Sequence, residues 1–138
     1  MADGWHTPGM EISSSRRARP AELVFASAVL LINGVPMLFA AVVSIAFVRT
    51  LTAAGTGLAL AGLGAALITA VIRLYTGSRV WWVASFGLLP VSGAAHFLDA
   101  FMFGDGRVPA AWGIVMPTAA LVCLLLRPVR TLFTPQAS

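Results

Sequence analysis

Lysine is absent from this chain of 138 residues, cysteine occurs once and histidine twice. A lone Cys123 leaves no partner for an intrachain disulfide, a CxxC redox pair or a cysteine metal cluster. His6 lies in a polar N-terminal stretch and His96 is the sole histidine of an apolar segment. A haem held by two histidines or a multi-histidine metal site therefore lacks ligands within one chain, and no metal and no cofactor is expected. No glycine-rich phosphate loop and no HExxH pattern occurs either. Charge is scarce as well: 10% of residues are charged, against about 25% in a soluble domain. Too few polar groups remain to coat a surface facing water.

What is present is apolar. Hydrophobic residues make up 59% of the chain and the mean hydropathy is +0.90, which places it among integral membrane proteins. At about 20 residues per crossing, the length accommodates an all-α polytopic fold, an antiparallel bundle of four transmembrane helices, without a separate soluble domain. All nine basic residues are arginine and the net charge is +4. The arginines sit at the ends of apolar segments, where they set topology and meet anionic headgroups, so the expected partner is the lipid bilayer and not nucleic acid.

Along the chain, residues 1–20 read as a flexible polar tail carrying Arg16, Arg17 and Arg19. The apolar segment behind it is longer than the ~7–15 residues of a signal-peptide core, so it is expected to remain as an uncleaved first helix. A transmembrane domain over 21–127 follows, with helices at about 21–48, 53–75, 80–103 and 108–126, then a short tail over 128–138. Pro36, Pro90 and Pro117 interrupt three of these helices, and the Gly104, Asp105, Gly106, Arg107 turn separates the last two. Trp81 and Trp82, and likewise Trp112, suit interfacial anchors.

Arginine distribution orients the bundle. Arg16, Arg17, Arg19, Arg73, Arg79, Arg127 and Arg130 fall on one side, and only Arg49 and Arg107 on the other. The positive-inside rule then makes both termini cytoplasmic.

Helix 2 carries small residues at spacing four: Gly57, Ala61, Ala65 and Thr69, with Gly62, Ala66 and Ala70 alongside. In lipid, where helices gain no hydrophobic drive from one another, small residues allow backbones to approach and pack. These ladders are expected to join helices within or between chains, giving a homo-oligomer or a contact with a larger membrane protein.

The polar residues of the membrane segments are the candidates for chemistry. Ser92, His96 and Asp99 share one face of helix 3, since spacings of three, four and seven return to the same side. A serine triad is disfavoured because Ser92 and Asp99 lie ~10 Å apart along one helix. His96 and Asp99 are instead expected to pair, with each other or with a neighbouring helix. Counted from the cytoplasmic end they lie ~24 and ~28 Å along the axis, so a site built on them opens outward, beyond Pro90 between helices 1 and 3. Asn33, ~18 Å into helix 1, needs an internal partner, such as a carbonyl freed by Pro36 or a neighbouring helix.

Ala26, Ser27, Leu30, Leu31 and Phe39 recur as Ala84, Ser85, Leu88, Leu89 and Phe97, which would suit duplication of a two-helix unit. Three further stretches carry a wider likeness: Arg19 and Pro20 leading into an alanine and leucine helix, the TyrThrGlySerArg connection at 75–79, and ArgProValArgThrLeuPhe at Arg127–Phe133. With these the chain resembles small four-helix membrane proteins of unknown function in high-GC actinobacteria, a resemblance that implies the topology and the cytoplasmic membrane and no chemistry. Two functional readings follow. One is an accessory, regulatory or oligomer-forming membrane protein acting through helix packing. The other is a small transporter or membrane-embedded enzyme for a lipophilic molecule, built around Asn33, Ser92, His96 and Asp99, with His96 and Asp99 the candidates for any catalytic role. No reaction is assigned.

Overall fold

The computed structural model describes residues 19–47, 50–103 and 107–134. The tail through residue 18, the 104–106 part of the expected turn, and residues 135–138 lie outside the described residues. Four long helices, α1 (Ala21–Phe47), α2 (Leu51–Tyr75), α3 (Arg79–Phe103) and α4 (Arg107–Leu125), are followed by a short α5 (Arg127–Phe133). Short connections make successive helices antiparallel. α1 packs mainly on α2 and α3 mainly on α4, and contacts of α1 with α4 and of α2 with α3 close the bundle.

α1, α2 and α3 are long and apolar enough to cross a membrane, and the 111–125 part of α4 qualifies together with α5 as one span bent by 64°. Large apolar side chains point outward from the helices, among them Ile32, Phe39 and Leu58. An outer surface of that kind suits hydrocarbon and not water. The chain is a multi-pass integral membrane protein of all-α fold.

Local chemistry sets the helix ends. Thr50, in extended conformation, caps α2 by accepting a hydrogen bond from the Ala53 backbone N–H at 3.2 Å. At the other end Gly77 adopts φ +77°, the left-handed conformation that glycine takes without a Cβ penalty. Its N–H donates to the Leu74 carbonyl and that of Ser78 to Arg73, closing the last turn of α2 before Ser78 receives Trp82 of α3.

The two hairpins cross where glycines meet. A Cβ placed on Gly64 would stand 2.9 Å from the Gly34 carbonyl oxygen, and one on Gly34 3.2 Å from the Gly64 oxygen. In the second hairpin a Cβ on Gly93 would stand 2.6 Å from the Gly113 oxygen and 3.0 Å from the Pro117 ring. Glycine, with no Cβ, permits such approach of backbone to backbone.

Within the chain, these crossings use only part of the expected ladders. Gly57 is buried against Ala41 and Ile45 of α1, but Ala61, Ala66 and Thr69 are half-buried and Gly62 and Ala65 exposed. A spacing of four overshoots a helical turn by about 40° per step, so the ladder winds off the contact face. The buried face runs through Gly57, Gly64, Leu67, Ala70, Val71 and Leu74, an apolar stripe built on spacings of three and four.

The internal echo shifts too. Equivalent buried positions are Ala26 and Ser85, Leu30 and Leu89, Asn33 and Ser92, Gly34 and Gly93, one residue out of step with the sequence matches. In the sequence alignment Leu31, 39% exposed, would fall on Leu89, which is fully buried. The crossing glycines set the equivalence of the hairpins, and the letter-for-letter matches do not.

The expected C-terminal tail begins as α5, held by buried Val129 and Phe133. Pro128 has no N–H to offer the Leu124 carbonyl four residues earlier. Trp82 supplies the missing donor, with its Nε1 3.2 Å from that oxygen. Its ring also stacks on Phe133 at 5.9 Å and meets Phe86 edge-on at 5.1 Å. Trp82, expected as an interfacial anchor, therefore pins α3 to the bend between α4 and α5.

Gly93→Ala is expected to cost about 1–3 kcal/mol by forcing α3 from α4, whereas Gly62→Leu, with nothing near its Cβ position, leaves intrachain packing unchanged. Thermal unfolding of the purified variants in detergent reads the difference, and equal shifts would show that the crossings do not control packing.

Candidate functional site

Three of the four polar candidates converge. Asn33 with Ile32 from α1, His96, Asp99 and Ala100 from α3, and Trp112 with Gly113 from α4 line one cavity of about 360 Å³. A smaller recess of about 80 Å³ shares Ile32, Asn33 and Trp112 with it and reaches Val29 and Met116. The glycine crossings position these groups: Asn33 precedes Gly34, Trp112 precedes Gly113, and a Cβ on Gly113 would stand 3.3 Å from that of His96.

Ser92 does not reach the site. It is fully buried and its hydroxyl donates to the Leu89 carbonyl of its own helix at 2.9 Å. That disposes of a serine nucleophile on geometric grounds, beyond the axial separation already noted.

Asn33 is buried, and its Nδ2 donates to the Val29 carbonyl at 2.9 Å. This is a bond within α1, four residues back, so neither the carbonyl freed by Pro36 nor a neighbouring helix is its partner. Pro36 leaves the Ile32 carbonyl without its intrahelical donor, and Pro117 does the same to Gly113. Both residues line the cavity.

The expected pairing of His96 with Asp99 is not formed. The Nε2 of His96 is buried with no hydrogen-bond partner among the described residues. Asp99 is exposed. One turn along the helix separates a buried imidazole nitrogen from an exposed carboxylate, and both residues line the cavity. An orphaned buried nitrogen costs about 1–3 kcal/mol, so His96 holds hydrogen-bonding capacity that the fold does not use.

The chemistry of the walls is one-sided. Asp99 brings a carboxylate and Asn33 a carboxamide, while no arginine lines it among the described residues. Ile32 and the exposed Trp112 add apolar surface. Such a concavity suits a small molecule with a cationic or hydrogen-bond-donating head and an apolar body. No group of three or more potential metal ligands clusters among the described residues.

Ile32, Ala100, Trp112 and Gly113 are the lining residues that sequence reasoning did not nominate. The adjacency of Trp112 to Gly113, four residues before Pro117, was the available sign of an aromatic at a backbone crossing. The opening also differs from the expected one: α4 forms a third wall, and beside Pro90 lies a separate apolar groove of about 320 Å³ between α3 and α4. Compared with known proteins, the chain matches no family model, no curated protein and no solved structure.

Replacing His96 by leucine removes the orphaned nitrogen and is expected to raise the unfolding temperature, while Ser92→Ala changes stability by less than about 1 kcal/mol. Thermal unfolding in detergent checks both. A marked loss of stability in His96→Leu would mean that the imidazole has a partner essential to the fold.

Proposed function

We propose that the protein binds, and by its membrane location moves or presents, a small amphiphilic molecule at the cavity between α1, α3 and α4. The observation that carries this reading is the convergence of Asn33, His96 and Asp99 on one cavity, with the imidazole nitrogen of His96 left unpartnered. In the orientation favoured by the arginine distribution, both termini are cytoplasmic and the cavity opens outward from a bacterial cytoplasmic membrane. A ligand would place its cationic or donor-bearing head against Asp99 and Asn33, and its apolar part against Trp112 and Ile32. Binding is the role supported here, since no group is positioned as nucleophile and no two polar side chains of the site are hydrogen-bonded to each other.

A second reading, an oligomer-forming accessory protein, is favoured by the outer face of α2, where Gly55 and Gly62 have nothing near their Cβ positions. A neighbouring helix could approach there closely. On this reading Gly62→Leu lowers the mass of the detergent-solubilised particle.

For the binding reading, calorimetric titration of the purified protein with small amines and quaternary ammonium compounds should find at least one ligand. Asp99→Asn is expected to weaken it about tenfold, equivalent to about 1.4 kcal/mol. Absence of binding across the panel, or binding that ignores both Asp99→Asn and Asn33→Ala, would overturn it.

A further inference from the structure

A second cavity, of about 380 Å³, lies at the opposite end of the bundle. Arg19 and Pro20 at the start of α1, Leu23 within it, Leu74 and Tyr75 at the end of α2, Gly77, and Leu132 and Phe133 of α5 form its walls. We infer that this cavity is a binding site for an anionic membrane phospholipid, with the phosphodiester on Arg19 and the beginning of an acyl chain among Leu23, Leu74, Leu132 and Phe133.

The walls divide as such a lipid divides. The guanidinium of Arg19 lies 4.1 Å from the centroid of the Tyr75 ring. Such a contact engages the cation with the ring face, and guanidinium N–H groups turned away from the ring can pair with phosphate oxygens. Apart from Arg19 and the backbone at Gly77, the lining is apolar or aromatic.

Charge at this end points the same way. Arg73 closes α2, Arg79 opens α3, and Arg127 and Arg130 belong to α5; all are exposed. Glu22 is the single acidic residue near this end among the described residues. The bend of 64° before α5 turns that helix across the bundle end, with Val129 and Phe133 inward and Arg127 and Arg130 outward. That is the disposition of an interfacial helix, basic toward headgroups and apolar toward the membrane interior. The end is also the one assigned to the cytoplasm, whose leaflet surface is negatively charged. This inference is independent of the small-molecule reading, because no residue lines both cavities.

The test is the thermal shift of the full chain in detergent with short-chain phosphatidylglycerol, short-chain phosphatidylcholine or inorganic phosphate. Phosphatidylglycerol is expected to raise the unfolding temperature by several degrees more than phosphatidylcholine, and inorganic phosphate to leave it unchanged. Arg19→Gln should abolish the difference between the two lipids. Leu132→Gln, at a half-exposed position of α5, should reduce stabilisation by phosphatidylglycerol and serves should Arg19→Gln fail to fold. Equal stabilisation by the two lipids, a phosphatidylglycerol effect unchanged in these variants, or an equal effect of inorganic phosphate would each overturn the proposal.

Discussion

Backbone contact between glycines is the constraint on which the rest of this bundle depends. Hydrocarbon is as apolar as leucine, so burying leucine between helices in a membrane gains little, and close dispersion contact has to do the work. Gly34 against Gly64 and Gly93 against Gly113 provide it, once in each hairpin. The site follows from the same contacts. Asn33 and Trp112 are the immediate neighbours of crossing glycines, and His96 lies against Gly113, so the cavity walls stand at fixed distances from two rigid points.

Proline distributes the remaining polarity. Each helical proline withholds an N–H from the carbonyl four residues earlier, and the chain deals with the freed carbonyls differently. At Pro128 the indole of Trp82 replaces the donor, and the helix turns by 64° into α5. At Pro117 the freed Gly113 oxygen lies against Gly93 in the crossing of α3 and α4. At Pro36 the freed carbonyl is that of Ile32, beside Asn33 at the cavity. A carboxamide and a carboxylate on one concave surface make it a polar place within an apolar protein. The opposite end has the reverse polarity, with Arg19 just before α1 and arginines from α2, α3 and α5.

Much of this was legible in the residues. The four long helices start and end within two residues of their expected bounds, because long apolar runs bounded by arginine, glycine and threonine allow few alternatives. Asn33, His96 and Asp99 stood out because polar groups at membrane depth are costly unless they face protein or water. Three things were not legible. A spacing of four in α2 resembled a contact face, although helical pitch carries Ala65 away from α1. The partners of Asn33 and Ser92 proved to be carbonyls of their own helices, a choice that composition leaves open. α5 was read as a tail because Arg127 and Pro128 end a helix so strongly that the apolar pair Val129 and Phe133, one turn apart, escaped notice.

We propose that the crossings hold a cavity lined by Asn33, His96 and Asp99 that, in the orientation favoured by the arginine distribution, opens to the extracytoplasmic side. Single cysteines introduced into a Cys123→Ser background, at Ala100 in this cavity and at Leu132 at the other end, test it with a membrane-impermeant charged maleimide. The account predicts labelling of Ala100→Cys in intact cells, slowed when an amine ligand occupies the cavity, and labelling of Leu132→Cys only after the membrane is opened. Protection of Ala100→Cys from the outside, or labelling of Leu132→Cys in intact cells, would contradict it.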